Sequence, residues 1–223
     1  MSSLAHSTVA PEGYIPIGLA TGGAILIALS VGPMTSAPLI VLVALLLFVF
    51  RDPRRNVPPE ALGILSSVDG TVLDVALAQD PFLKREALRV RVKMGLLDVH
   101  SIRVPSEGRI MQQWQSRSSA SGRAQFANWV RTDEGDDIVW AVDLPPLSKP
   151  HFDLHTGNRV GQGHRCGYVF LGGCVDVFVP TSARPQVAVS DRVVAGETML
   201  AQLVHAKPVV PATLRTARWW HGR

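Results

Sequence analysis

The segment Tyr168–Pro180 reads YVFLGGCVDVFVP, and both of its ends have the composition of a buried β-strand, rich in Val and Phe. In its middle, Gly172 and Gly173 interrupt this pattern. The next residue, Cys174, is one of only two cysteines in the chain. The segment therefore predicts a β-domain in which one strand carries an unusual position.

The chain beyond Gly63 repeats the strand pattern. Short apolar or alternating runs, each broken by Gly, Pro or Asp, follow one another: GTVLDVAL, LRVRVKM, DIVWAVDL, CVDVFV and QVAV. No long amphipathic helical pattern competes with them after residue 60. A weak internal echo, SVDGTVLDV against PSEGRIMQQ, is typical of folds made of two intertwined halves. We therefore predict a mainly β, sandwich-like domain of intertwined strand–turn units.

The N-terminal third has a different composition, because the stretch from Gly13 to Phe50 contains no charged side chain. A run of this length exceeds an ordinary core helix, and no basic segment precedes it as in a cleavable signal peptide. Gly32-Pro33 and Pro38 divide it, which indicates either a hairpin of two short helices or one kinked span. A buried hairpin in a soluble domain is the remaining alternative.

A basic segment follows the apolar stretch and contains three arginines: Arg51, Arg54 and Arg55. Because positive charge favours the cytoplasmic side, we expect the inner (cytoplasmic) membrane as the location and a β-domain on the cytoplasmic side. The predicted organisation is an N-terminal tail at 1–14, a membrane segment at 15–50, the β-domain at 51–204 and a basic tail at 205–223.

The charge pattern excludes one class of partner. The chain has 22 basic and 18 acidic residues, a net charge of +4, which suits an anionic lipid surface. This charge is too weak and too scattered for nucleic-acid binding. Two cysteines do not make a disulfide framework, so a reducing compartment is expected. The sequence leaves open whether the protein forms a homo-oligomer.

Three segments, in order along the chain, resemble the phosphatidylserine decarboxylases, in their short, membrane-anchored form. They are FRDPRRNVP after the apolar stretch; SSVDGTVLDV with MGLLDVHSIRVPSEGRI; and GHRCGYVFLGGCVDVFVP followed by VAGETMLA. The matches extend from Glu12 to Ala201, and the histidine segment and the VDVFVP strand are the most specific.

The resemblance implies an activity and a cofactor. Family members cut their own chain at a serine in the late strand, which becomes a pyruvoyl group on the smaller fragment. The pyruvoyl ketone takes up the amine of phosphatidylserine and serves as an electron sink when CO₂ leaves. The products belong to phospholipid biosynthesis. By motif, Asp69 and His100 would activate the nucleophile, as in a general-base triad.

The sequence departs from the family at the nucleophile. Aligned without a gap, the family's Gly-Ser becomes Gly172-Gly173, and glycine has neither a side chain to attack with nor a β-carbon for a pyruvoyl methyl. We therefore expect Cys174 to be the nucleophile, because a thiolate attacks well and sulfur leaves readily. Adjacent strand residues point to opposite faces, so this role asks for a bulge at the two glycines.

Two alternatives follow from this departure. Cys174 as a small buried residue beside a turn would make the protein a catalytically inactive, decarboxylase-like membrane protein that binds lipid or a partner. Asp69 would then be an ordinary turn residue, and His100 a core histidine with its hydrogen bonds satisfied. Asp176 lies in an apolar strand and needs a cation, for which we expect Arg165 or Arg103.

A second departure lies at 143–159, DLPPLSKPHFDLHTGNR, where the substrate pocket of the family is in doubt. This stretch offers the components of a zinc site together with later residues: His151, His155, His164, Cys166 and Cys174. It lacks the glutamate of a metalloprotease helix and any Cys-x-x-Cys pair. We therefore predict no metal site.

Overall fold

In the computed structural model, two apolar helices precede a β-domain. The structure describes residues 9–60, 62–117, 124–145, 151–170 and 172–204. Helix α1 spans Tyr14–Ser30 and helix α2 spans Ala37–Val49, each preceded by one turn of 3-10 helix. Gly32, between them, has a φ of 128°, a value that favours glycine. Of the two alternatives for the apolar stretch, the structure therefore has the helical pair.

The two helices differ in length. Pro11–Ser30 is long and apolar enough to cross a membrane, whereas Pro33–Val49 is shorter. The segment before α1 and the end of α2 lie side by side, because Ala10 N–H donates to the carbonyl of Phe50 at 2.7 Å. The rings of Phe50 and Tyr168 stack there, 5.5 Å apart. The predicted C-terminal tail, 205–223, lies outside the described residues. Of the predicted N-terminal tail, residues 1–8 lie outside them.

The β-domain has fourteen described strands in three antiparallel sheets. In chain order they are β1 Gly63–Leu65, β2 Gly70–Asp80, β3 Arg85–Met94, β4 Ser101–Arg103, β5 Gly108–Arg117, β6 Ala124–Arg131, β7 Asp137–Leu144, β8 His151–Phe152, β9 Arg159–Val160, β10 Arg165–Tyr168, β11 Gly173–Val179, β12 Arg184–Pro185, β13 Arg192–Val193 and β14 Met199–Gln202. The large sheet has the order β13-β2-β3-β11-β7-β6-β5-β9. The two small sheets have the orders β1-β14-β12 and β4-β10-β8.

Strand β11 lies inside the large sheet, between β3 and β7, and its residues alternate between two apolar clusters. Val175, Val177 and Val179 enter the main core, while Phe178 packs in a second cluster on the other face. This two-sided burial explains why the strand reads as a nearly continuous apolar run. The prediction of a mainly β domain behind an N-terminal helical pair is confirmed.

Candidate functional site

The two glycines allow backbone to approach closely at the start of β11. Gly172 has a φ of +73°, in the left-handed region that favours glycine. A Cβ added at Gly173 would lie 2.7 Å from the carbonyl oxygen of Asp143 on β7. The expected bulge is absent from β11, which pairs with β3 in continuous register from Gly173 to Val179. Close packing of three strands, rather than a bulge, accounts for the glycines.

Cys174 lies opposite Lys93 on β3 and Asp143 on β7. Strand alternation places it on the same face as Asp176, and on the face opposite Val175. The side chain is half-buried, and this burial raises the pKa of the thiol. The positive charge of Arg91 opposes that effect. The thiol is therefore mainly protonated near neutral pH and needs a base before it can attack.

An open cleft of about 420 Å³ lies at this end of the strand. Its wall includes residues from β3, from the turn after β3, and from the ends of β7 and β11: Lys93, Gly95, Leu96, Asp143, Pro145 and Cys174. This volume is in the range of small-molecule pockets, which is sufficient for a polar head group. The cleft is thus a site in which a half-buried thiol meets a cationic side chain.

His100 is buried just before β4, and neither of its ring nitrogens has a hydrogen-bond partner in the described part of the chain. Its backbone carbonyl accepts from Val169 N–H at 2.9 Å. Burial lowers the pKa of the imidazole, Asp98 opposes this, and Arg51 adds to it. The ring is therefore a neutral base near pH 7. The alternative of a core histidine with satisfied hydrogen bonds does not describe it.

Asp69 precedes β2 and lies in an ion pair. Both of its oxygens accept from Arg55 Nη2, at 2.9 and 2.7 Å, and Oδ1 also accepts from Ala195 N–H at 2.8 Å. Asp69 therefore joins the segment after the helices to the loop after β13. Because the nitrogens of His100 are unpartnered among the described residues, no hydrogen bond links His100 to Asp69 or to Cys174.

The aspartate of the Arg-Asp-Pro motif forms a network that the sequence analysis missed. Asp52 is buried and accepts from Ser101 Oγ at 3.1 Å and from Arg103 Nη2 at 3.0 Å. It also pairs with Arg165 Nε at 2.9 Å. Ser101 follows His100 directly, so this network positions the segment that carries the histidine. The motif itself was the signal, since an aspartate between arginines is rarely buried without partners.

The expected partner of Asp176 was wrong. Its carboxylate accepts from Arg91 through Nε and Nη2, each at 2.6 Å. The register of β11 against β3 places Arg91 directly opposite Asp176. Arg103 and Arg165, the partners expected from the sequence, bind Asp52 instead.

The residues considered for a zinc site form no cluster in the part of the chain that the structure describes. Within the described ranges, no group of three or more His, Cys, Asp or Glu side chains could hold a metal ion. Cys166 is fully buried, which raises the pKa of its thiol to about 12. Residues 146–150 and the side chain of His151 lie outside the described part.

The chain thus combines a helix that is long and apolar enough to cross a membrane with a β-domain that has an open cleft. A phosphatidylserine decarboxylase proenzyme of Nitrosomonas europaea is 34% identical over 208 residues, which are 88% of this chain and 96% of that protein. A protein of the same name from Aromatoleum aromaticum is 30% identical over 209 residues, 89% of this chain and 97% of that protein. The chain belongs to the phosphatidylserine decarboxylase family.

Two other comparisons found no relative. No family model matches the chain, and no solved structure matches it.

The geometry distinguishes two positions for a pyruvoyl group, the cofactor that the family resemblance implies. Position 173 does not fit it, because the glycine has no β-carbon and one placed there would meet the backbone of β7. Position 174 has a β-carbon, a sulfur leaving group and access to the cleft. The residues present therefore fit a pyruvoyl group derived from Cys174 and not one derived from position 173.

Proposed function

We propose that this protein is a self-processing carboxy-lyase that decarboxylates phosphatidylserine to phosphatidylethanolamine in phospholipid biosynthesis. The observation that carries the proposal is the thiol of Cys174 in an open cleft, in a chain related to the decarboxylase proenzymes over most of its length. We further propose that Cys174 takes the part of the serine that is missing at Gly173.

The processing step needs only groups of the chain and one molecule of water. The sulfur of Cys174 attacks the carbonyl carbon of Gly173, a carbon–sulfur bond forms, and the amide nitrogen leaves with a proton. Loss of the Cα proton of residue 174 then breaks the Cβ–S bond. The fragment 1–173 departs as a thiocarboxylate, and hydrolysis of the new terminus releases ammonia.

His100 is the proposed base for this step, because its neutral imidazole accepts a proton near pH 7. It must come within hydrogen-bond reach of the sulfur, since its nitrogens have no partner in the described part of the intact chain. Asp69, held by Arg55, is proposed to fix the segment before β2 and to supply negative charge on this side of the domain.

Once formed, a pyruvoyl group at residue 174 would supply the electrophilic carbonyl that decarboxylation of an amino acid requires. The chain supplies the environment. Lys93 is exposed on the cleft wall beside Cys174, where its ammonium group can bind the phosphate or carboxylate of a serine phospholipid. The half-buried position of residue 174 limits the access of water.

The apolar helices support a location at the membrane. We propose that Pro11–Ser30 holds the protein at the cytoplasmic membrane, with the β-domain on the cytoplasmic side beside Arg51, Arg54 and Arg55. This brings the cleft to the surface that contains its substrate. A homo-oligomer is compatible with this arrangement.

The test is the intact mass of the purified protein under denaturing conditions. Processing gives fragments of residues 1–173 and 174–223, the smaller beginning with a pyruvoyl group. Cys174→Ala should abolish the cleavage, while Cys166→Ala, at the other cysteine, should leave it in place. Vesicles containing phosphatidylserine should then yield phosphatidylethanolamine with the processed protein alone.

A single uncleaved chain of 223 residues would contradict the mechanism. The missing serine at Gly173 would then favour the second candidate, a decarboxylase-like membrane protein that acts by binding a lipid or a partner. Binding of phosphatidylserine vesicles without any loss of CO₂ would identify that function.

A further inference from the structure

The turn between β3 and β4 exposes two adjacent leucines. The exposed fractions of Leu96 and Leu97 are 69% and 72%. The turn that carries them is fixed, because Gly95 N–H donates to Asp98 Oδ2 at 2.7 Å and Asp98 N–H donates to the carbonyl of Gly95 at 3.3 Å. Two large apolar side chains on a tight turn in water are unfavourable unless something covers them.

This turn lies at the base of the helical pair. Arg51, the second residue after α2, donates from Nη2 to the carbonyl of Leu97 at 2.7 Å. The guanidinium of Arg51 also lies 4.2 Å from the ring centre of Phe48, in α2. A further exposed aromatic, Phe170, stacks on Phe50 with the ring centres 6.4 Å apart. The leucines are therefore level with the place where the apolar helices end.

We propose that the turn Gly95–Asp98 is a second membrane contact, in which Leu96 and Leu97 enter the surface of an anionic phospholipid bilayer. The occupant is a bilayer because Arg51 ties the turn to the end of the helical pair, whose first helix is long and apolar enough to cross a membrane. Basic side chains lie beside the turn and would meet the lipid phosphates: Arg51, Lys93 and Arg192, the last of which also pairs with Asp98 of the turn.

The contact has a consequence for the cleft. Leu96 is part of the cleft wall together with Cys174. A bilayer seated on Leu96 would therefore bring the mouth of the cleft to the level of the lipid head groups. This inference rests on insertion of the helices and not on decarboxylation, so it holds for a processed chain and for an uncleaved one.

The experiment uses the full chain in vesicles of phosphatidylcholine and phosphatidylglycerol. A fraction of the phospholipid carries a diazirine on its acyl chain, and mass spectrometry locates the lipid adducts after irradiation. Adducts on α1 show that the chain is inserted. Leu77 on β2, with an exposed fraction of 70%, is the matched control. It lies away from the turn, because its strand partner Leu88 comes five residues before Lys93 on β3.

We expect adducts on Leu96 and Leu97 and none on Leu77. Adducts confined to the helices would overturn the proposal. The double variant Leu96→Ser/Leu97→Ser should lose the adducts at the turn and keep those on α1. The Cys174→Ala chain should label like the wild type, which separates this result from failure of the processing reaction.

Discussion

The absence of a side chain at position 173 removes the nucleophile, and it also avoids a steric clash. A β-carbon there would lie 2.7 Å from the carbonyl oxygen of Asp143, so a strand of the large sheet must move to admit it. We expect Gly173→Ala to lower the free energy of unfolding by about 1–3 kcal/mol, the usual cost of overpacking. Thermal unfolding in detergent measures the change.

The control for this variant is Gly161→Ala, where a β-carbon would meet nothing within 4 Å. Equal melting temperatures for the two variants would show that β7 yields without cost. A serine placed at position 173 would face the same contact, so restoring the family's residue should not by itself restore its geometry.

His100 gives the stability a pH dependence whose sign follows from burial. Burial lowers the pKa of the imidazole below its ordinary 6.5, so the folded chain binds a proton less readily than the unfolded chain does. Protonation therefore favours unfolding, and this contribution to stability is lost as the pH falls from about 6.5 through the lower folded pKa.

We expect the melting temperature of His100→Gln to fall less between pH 7.5 and pH 5 than that of the wild type. His155→Gln, at an exposed histidine, should keep the wild-type slope. The comparison uses slopes, so a general loss of stability in His100→Gln does not affect it. Parallel slopes for all three proteins would mean that His100 titrates as it does in water.

At the scale of elements, the Asp52 network holds the helical pair to the β-domain. It joins the segment after α2 to β4 through Arg103 and to β10 through Arg165, and Arg165 also pairs with Glu12 just before α1. The carboxylate of Asp52 is nearly removed from water, and its loss leaves the buried Arg103 without a carboxylate and Arg165 with Glu12 alone.

We expect Asp52→Asn to lower the free energy of unfolding by about 3–5 kcal/mol, as for other broken buried ion pairs. The matched control is Asp133→Asn, which breaks an exposed pair with Arg159 and should cost less than about 1 kcal/mol. Thermal unfolding of both variants in the same detergent decides the point. Similar losses would show that the Asp52 network is screened by solvent.

The strands themselves could be predicted, because alternation along one segment is a local signal. The partners across strands could not. Asp176 and Arg91 are 85 positions apart and meet only through the register of β11 against β3. Asp69 and Arg55 meet because the segment after the helices lies beside the start of β2, and that placement depends on the whole fold. Short polar segments such as these have no periodicity to reveal their neighbours.

For the whole molecule, composition alone separated the helical pair from the β-domain, and the Gly32-Pro33 break was the visible sign of two helices. The strand order was beyond reach, because β11 lies between strands that are distant in sequence. The candidate site was predicted as a set of residues by family resemblance. Their arrangement was not, since the side of β11 that Cys174 occupies depends on the packing of the large sheet.

The most direct question about the whole molecule is whether its exposed apolar helices face lipid. Leu26 in α1 and Leu77 in β2 have the same exposed fraction, 70%, and differ in the solvent that we assign to them. An aspartate in the apolar part of a membrane helix costs on the order of 3 kcal/mol, whereas an aspartate on a wet strand costs little. We therefore expect Leu26→Asp to reduce the fraction of the protein that stays with membranes after alkaline carbonate extraction, and Leu77→Asp to leave it unchanged. If both variants stay with the membranes as the wild type does, the helices are not what retains the protein there, and the inferred contact at Leu96 and Leu97, which rests on insertion of the helices, would fail as well.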